Sequence, residues 1–234
     1  MPFFEYASTT VFMNNMPENR YRQKKQYKDG ETICIWGNEY SLQIIKTAVP
    51  DDIFMLFPGT GISPEGLKKR FRHDMSVIEL SGSNALLYVP FCHTGKNIKT
   101  ANFLSGTEMS CPEPSFEDRK AAYKTAVYRL FADKINEILH KWEKKTGLKC
   151  KSWHITDVLN YWGQCSSWGK DICFYINLLC RPLIFVEFVV LHELVHVMHM
   201  NHGPKFRAIM AIYMPDYKVI DKKYNSRIIR VKDD

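Results

Sequence analysis

Residues 185–206 read FVEFVVLHELVHVMHMNHGPKF. Within them His192-Glu193-Leu194-Val195-His196 has the H-E-x-x-H spacing. On a helix, a separation of four stacks both imidazoles on one face, one turn apart, where they can share a divalent cation. Glu193, beside the first histidine, can then act as general base towards water at that cation. Five residues can match by chance, but the setting argues for chemistry. The surrounding run is apolar, and a carboxylate with two imidazoles buried in it must be compensated by a partner. The periodicity predicts one helix over 183–200 and, after the Asn201-His202-Gly203 break, a second over 204–214, opened by Pro204 and stopped by Pro215.

Two histidines leave the coordination incomplete, because catalytic zinc takes three protein ligands and keeps one position open. His199 continues the stripe of His192 and His196, yet a straight helix cannot easily wrap three rings around one ion. His202 lies at the break, where the chain can turn back, and Gly203 is expected to supply the torsions for that turn. The interval from His196 to His202 matches the longer H-E-x-x-H-x-x-G-x-x-H pattern, with His199 in place of its glycine. His202 is therefore the favoured third ligand, His199 the alternative, and Asp216 the acidic fallback.

The 234 residues are 45% apolar and 24% charged, which excludes bulk disorder and suits a soluble α+β protein. Net charge is +7, with basic runs at 20–28 and 218–232 that solvated surfaces explain more readily than a nucleic-acid interface. Seven cysteines, without a close C-x-x-C pair or a signal-like start, give the expectation of reduced thiols in the cytoplasm. The most apolar segment, 182–200, carries Glu187, His192, Glu193 and His196, so it reads as a buried helix and not a membrane span.

Upstream, residues 1–29 show no sustained period and read as an extension. Residues 30–114 are rich in strand signals. Segments 31–36 and 39–46 flank Gly37-Asn38 as a hairpin, 53–57 is a short strand, and 76–80 with 85–89 make a second hairpin across SGSN. The stretch at 57–66, FPGTGISPEG, is loop with a possible helix start at Pro64 and no phosphate-binding pattern, and 90–114 is a long connection. At Ser115 the register changes. Ser115 and Asp118 form a capping-box pattern, and Val127, Phe131, Ile135, Ile138, Leu139 and Trp142 keep helical period up to Gly147. Segments 148–154 and 172–177 read as strands separated by the loop-like YWGQCSSWGKD. Residues 115–217 thus form a catalytic unit with a mostly antiparallel sheet, and 218–234 a basic tail.

Five ordered blocks carry a resemblance. They are Trp162-Gly163-Gln164-Cys165-Ser166, Asn177-Leu178-Leu179 with Pro182, the H-E-x-x-H segment, Asn201-His202-Gly203-Pro204-Lys205-Phe206, and Met214-Pro215-Asp216-Tyr217. Together they resemble the YgjP-like metallopeptidases, predicted zinc-dependent hydrolases more distantly similar to SprT-like and other gluzincin-type domains. The hairpin around Trp36-Gly37-Asn38 resembles that family's N-terminal sheet. The resemblance implies a zincin-like helical core and Zn2+ held by His192, His196 and His202. It also implies Glu193 as the catalytic glutamate and a cleft bordered by the 162–166 loop. Trp162, Gly163, Gln164, Cys165, Ser166 and Asn177 are accordingly the candidate substrate contacts. Gln164 stands where a serine is usual, and the segments before Ser115 are long for the family; the first bears on substrate choice, the second on N-terminal architecture.

The functional expectation is a zinc peptidase acting on a peptide or protein, its substrate docking as a strand on a sheet edge near 171–177. Three alternatives stand beside it: a metal-dependent nucleotide phosphoanhydride hydrolase, a DNA-associated SprT-like protease, and a metal-stabilised protein without turnover. Cys165 as nucleophile or ligand is disfavoured, because a lone cysteine without a designated base is usually a small buried hydrophobe.

Overall fold

The computed structural model describes residues 25–48, 76–91, 113–157, 161–166 and 171–225. Residues 1–24 of the 1–29 extension, the strand at 53–57, the loop and helix start at 57–66, most of the 90–114 connection and the run beyond 225 lie outside the described residues. Chain order is β1 (Thr32–Ile35), β2 (Asn38–Ala48), β3 (Val77–Ser81), β4 (Asn84–Phe91), α1 (Phe116–Thr146), β5 (Ser152–Thr156), β6 (Gly163–Cys165), β7 (Asp171–Tyr175), a 3-10 turn (Ile176–Cys180), α2 (Leu183–His196), α3 (Pro204–Tyr213) and α4 (Tyr217–Tyr224). The fold is α+β, with a four-stranded sheet ordered β1-β2-β4-β3 and a three-stranded sheet ordered β5-β7-β6.

Both expected hairpins form, β1 with β2 and β3 with β4. Hairpin logic does not foresee how they join: β2 and β4 run parallel, as do β5 and β7. The first turn is also shifted by one residue. Its central pair is Trp36-Gly37, with φ of 52° and 80°, and Asn38 already belongs to β2 opposite Ile35. Two successive positive φ values are what a two-residue turn needs to match strand twist. A tryptophan there is strained by roughly 1–2 kcal/mol. Its amide donates to the Leu179 carbonyl at 2.6 Å and its ring stacks on Phe131 at 6.0 Å, which offsets that cost.

Helix α1 begins on the expected capping box. The Asp118 amide donates to Ser115 Oγ and the Ser115 amide to the Asp118 carboxylate, both at 3.2 Å. Its buried stripe, including Val127, Phe131, Ile135 and Leu139, packs on α2 and on β3 and β4. Side chains from both sheets and all four helices share one apolar cluster, from Ile33 and Leu42 through Phe131 and Phe174 to Leu191, Met210 and Ile220.

Two elements correct the sequence reading. The stretch taken as loop contains β6, paired antiparallel with β7 from Gly163↔Phe174 to Cys165↔Ile172. Residues 218–224, expected to start a tail, belong to α4. Tyr217, Ile220 and Tyr224 recur on one face, Ile220 is buried, and the Tyr224 ring lies 6.0 Å from Phe185 of α2. Lys218, Lys222 and Lys223 occupy other faces of this helix and made it look like a charge run. Among the described residues no helix is long and apolar enough to cross a membrane.

Candidate metal centre and active site

Helix α2 is buried along most of its length, with Glu193 and His196 buried and Glu187 and His192 partly so. It ends at His196, four residues earlier than the apolar run suggests. The amides of Met198 and His199 both reach the Val195 carbonyl, at 3.1 and 3.0 Å, which tightens the last turn. Nδ1 of His196 then donates to the His199 carbonyl at 2.9 Å and folds the chain back over the helix end. This corrects the helix over 183–200 and gives His199 its place: it touches the centre through its backbone carbonyl.

The fold-back delivers His202. Its Nε2 lies 2.9 Å from Nε2 of His192, which lies 3.1 Å from Nε2 of His196. Among the described residues, His192, His196 and His202 form a group whose candidate donor atoms all lie within 4.8 Å of one another. Neither His199 nor Asp216 belongs to it. Gly203 is not what permits the turn. Its φ of −74° and ψ of −173° are ordinary extended backbone, and an added Cβ would meet nothing within 4 Å. The turn is held instead by Arg207, whose Nε donates to the His202 carbonyl at 2.9 Å, and by Phe206, whose ring lies 4.7–4.9 Å from all three imidazoles. Sequence reasoning gave neither residue a role; the one available signal was their position just after the His202 break.

These donors suit a small divalent cation. Nitrogens bound tetrahedrally at 2.0–2.1 Å stand about 3.3 Å apart, close to the spacings seen. Because His196 uses Nδ1–H on a carbonyl, its neutral ring turns a lone pair at Nε2 towards the cluster. Burial, then the neighbouring imidazoles, pushes His192 down to about 3, and burial lowers His196 as well. Both rings are thus kept in the neutral form that a metal requires.

Glu193, next in sequence to His192, packs against β6. Gly163 is where it lands: a Cβ there would stand 2.7 Å from Glu193 Cγ and 3.1 Å from its carboxyl carbon. Tyr175 N–H to Trp162 O and Ser166 N–H to Asp171 O mark the hydrogen-bonded positions of β6 with β7. By strand alternation, Gly163 and Cys165 therefore direct their backbone groups away from β7. The Cys165 amide is bonded to the Glu193 carboxylate and pulls its pKa down. Burial outweighs it, holding the 6%-exposed Glu193 up at about 8 in the absence of a cation. A positive charge at the histidines favours its ionised form.

The remaining sequence candidates divide by exposure. Gln164, Ser166 and Asn177 are exposed, with Asn177 donating to Tyr175 Oη at 2.8 Å. Trp162 and Cys165 are buried. Trp162 meets Phe185 edge-on at 5.8 Å and carries the Arg181 guanidinium 4.6 Å above its ring. Burial, followed by Glu193 and Asp171, pushes the Cys165 thiol up to about 11, which disfavours its thiolate near neutral pH. Gly163 serves as the cradle for Glu193. The docking edge expected near 171–177 is overturned, because β7 is the central strand with β5 on one side and β6 on the other.

A family model described as YgjP-like, metallopeptidase domain, matches residues 92–227, more than half of the chain. The chain belongs to the YgjP-like family. It is therefore a metallopeptidase-type hydrolase, and the matched span contains all three histidines, Glu193 and β6. Comparison with curated proteins gave no match.

Proposed function

We propose that this YgjP-like protein is a zinc-dependent peptidase in which His192, His196 and His202 hold the metal and Glu193 moves the proton. The observation that carries the reading is the convergence of three imidazoles next to a buried carboxylate. His192, His196 and His202 bring their candidate donor atoms within 4.8 Å of one another, and Glu193, next in sequence to His192, lies against Gly163 of β6. When bound, zinc supplies Lewis-acid charge that polarises a carbonyl and makes water nucleophilic at neutral pH. Glu193 accepts the proton released as water adds to the scissile carbonyl and returns it to the departing amine. The His199 carbonyl keeps His196 in its tautomer, and the Cys165 amide orients the Glu193 carboxylate. The substrate is a peptide or protein segment entering beside β6, the strand that contacts Glu193. Exposed Gln164 on that strand contributes to side-chain selection. A reducing, cytoplasmic setting accords with the odd number of cysteines and the lack of a close C-x-x-C pair.

The test is zinc-loaded full-length protein screened against a diverse peptide library and a nucleotide panel, beside Glu193→Gln. Peptides alone should be cleaved, and the variant should keep its zinc while losing about 10²–10⁴-fold in rate. Turnover of nucleotides instead, or peptide cleavage unchanged in the variant, overturns the assignment.

A further inference from the structure

The edge of β1 that does not face β2 lies against the 3-10 turn before α2. There two cysteines 146 positions apart in sequence meet. Cys34 Sγ donates to the Cys180 carbonyl at 3.4 Å, and Cys180 Sγ donates to the Cys34 carbonyl at 3.3 Å. The exchange is reciprocal, so each thiol lies along the other residue's main chain. The Trp36–Leu179 hydrogen bond at 2.6 Å fixes the two backbones beside this pair. Cys34 is 8% exposed, while Cys180 is half-buried and reachable from solvent. Two residues further on, Pro182 starts α2, and the backbone of Gly37 sits against it.

We propose that Cys34 and Cys180 form an oxidisable pair, a modification site at which a low-molecular-weight disulfide cross-links strand β1 to the lead-in of the metal-bearing helix. The reachable Cys180 thiolate attacks one sulfur of the small disulfide, breaking its S–S bond and releasing one thiol. The Cys34 thiolate then attacks Cys180 Sγ and expels the second. Two protein thiols are oxidised, one small disulfide is reduced to two thiols, and the protons of the cysteines leave on those thiols. The link closes a long loop and ties the hairpin tip to the residues that set where α2 begins, stiffening the frame of the centre.

The experiment uses full-length protein incubated with glutathione disulfide, then alkylation of remaining thiols and peptide mapping without reduction. Fragmentation must separate Cys180 from Cys173, which lies on the same stretch. A Cys34–Cys180 bond should appear with loss of two thiols per chain. The oxidised protein should unfold several degrees higher, and dithiothreitol should reverse both changes. Cys34→Ser should carry one glutathione on Cys180 without a cross-link, a result that does not depend on stability or activity. Mixed adducts alone on the wild type, bonds between other cysteines, or an unreactive Cys180 each overturn the proposal.

Discussion

At Glu193 two demands meet: a carboxylate must be buried beside a metal centre and still be able to ionise. The single amide of Cys165 and the missing side chain at position 163 meet them by bringing strand backbone against the carboxyl group. Gly163→Ala is therefore a sharper probe than most active-site changes. Its methyl would stand 2.7 Å from Glu193 Cγ, so the carboxylate has to move or the strand has to shift. A displacement near 1 Å in a reacting group can cost about 10²-fold in rate. The variant should keep one zinc per chain, since the three atoms nearest the added methyl all belong to Glu193, and lose peptidase activity on that scale. Normal turnover together with a folded circular-dichroism spectrum would show that the close approach does not position Glu193.

At the level of elements, the centre depends on where α2 stops. The two alanine variants of the neighbouring histidines separate the roles. His202→Ala removes a converging nitrogen and should weaken zinc binding strongly in a metal titration. His199→Ala keeps the carbonyl that His196 uses, so one zinc should still bind with little loss. Full affinity in the first with loss in the second would reverse the assignment. The hairpin tip offers a further check. Gly37 has φ of 80°, and a Cβ there would lie 3.0–3.1 Å from Pro182. Gly37→Ala should then destabilise the fold by about 1–3 kcal/mol in denaturant titration; an unchanged midpoint would mean the tip does not brace α2. The long helices were legible because α1 and α2 repeat their apolar residues over many turns and α1 carries its own capping box. The H-E-x-x-H spacing and the break at 201–203 likewise pointed to His192, His196 and His202. Strand β6 was not legible, because three residues hold too little alternation and its partner β7 decides it. Helix α4 was hidden by its lysines, although Tyr217, Ile220 and Tyr224 had helical spacing. The close approach of Glu193 to Gly163 was not legible either, because only tertiary packing reveals what passes over a glycine.

Across the whole molecule, the centre joins residues that the chain connects only through 197–203, so metal, protons and folding are coupled. A cation that binds the folded state alone stabilises it by about 1.4 kcal/mol per decade of free ion above Kd. Zinc titration should therefore raise the unfolding midpoint progressively and a chelator should lower it. In the metal-free protein two kinds of proton site oppose each other. His192 is held down to about 3 and His196 is lowered, against an ordinary 6.5 in the unfolded chain. Below about 6.5 the unfolded state binds more protons, so this contribution to stability declines as the solution is acidified. Glu193 is held up at about 8 against an ordinary 4.5. The folded state is then the better proton binder, and this contribution, complete below 4.5, is lost as pH rises through about 8. Metal-free wild type should gain stability as the pH rises out of the acid range and lose it again between about 6.5 and 8. Glu193→Gln should keep the acid limb and lack the alkaline decline. Thermal midpoints of both proteins in chelator across pH 4–9 measure this directly, and superimposable profiles above pH 6.5 would show that Glu193 is not held protonated by its burial.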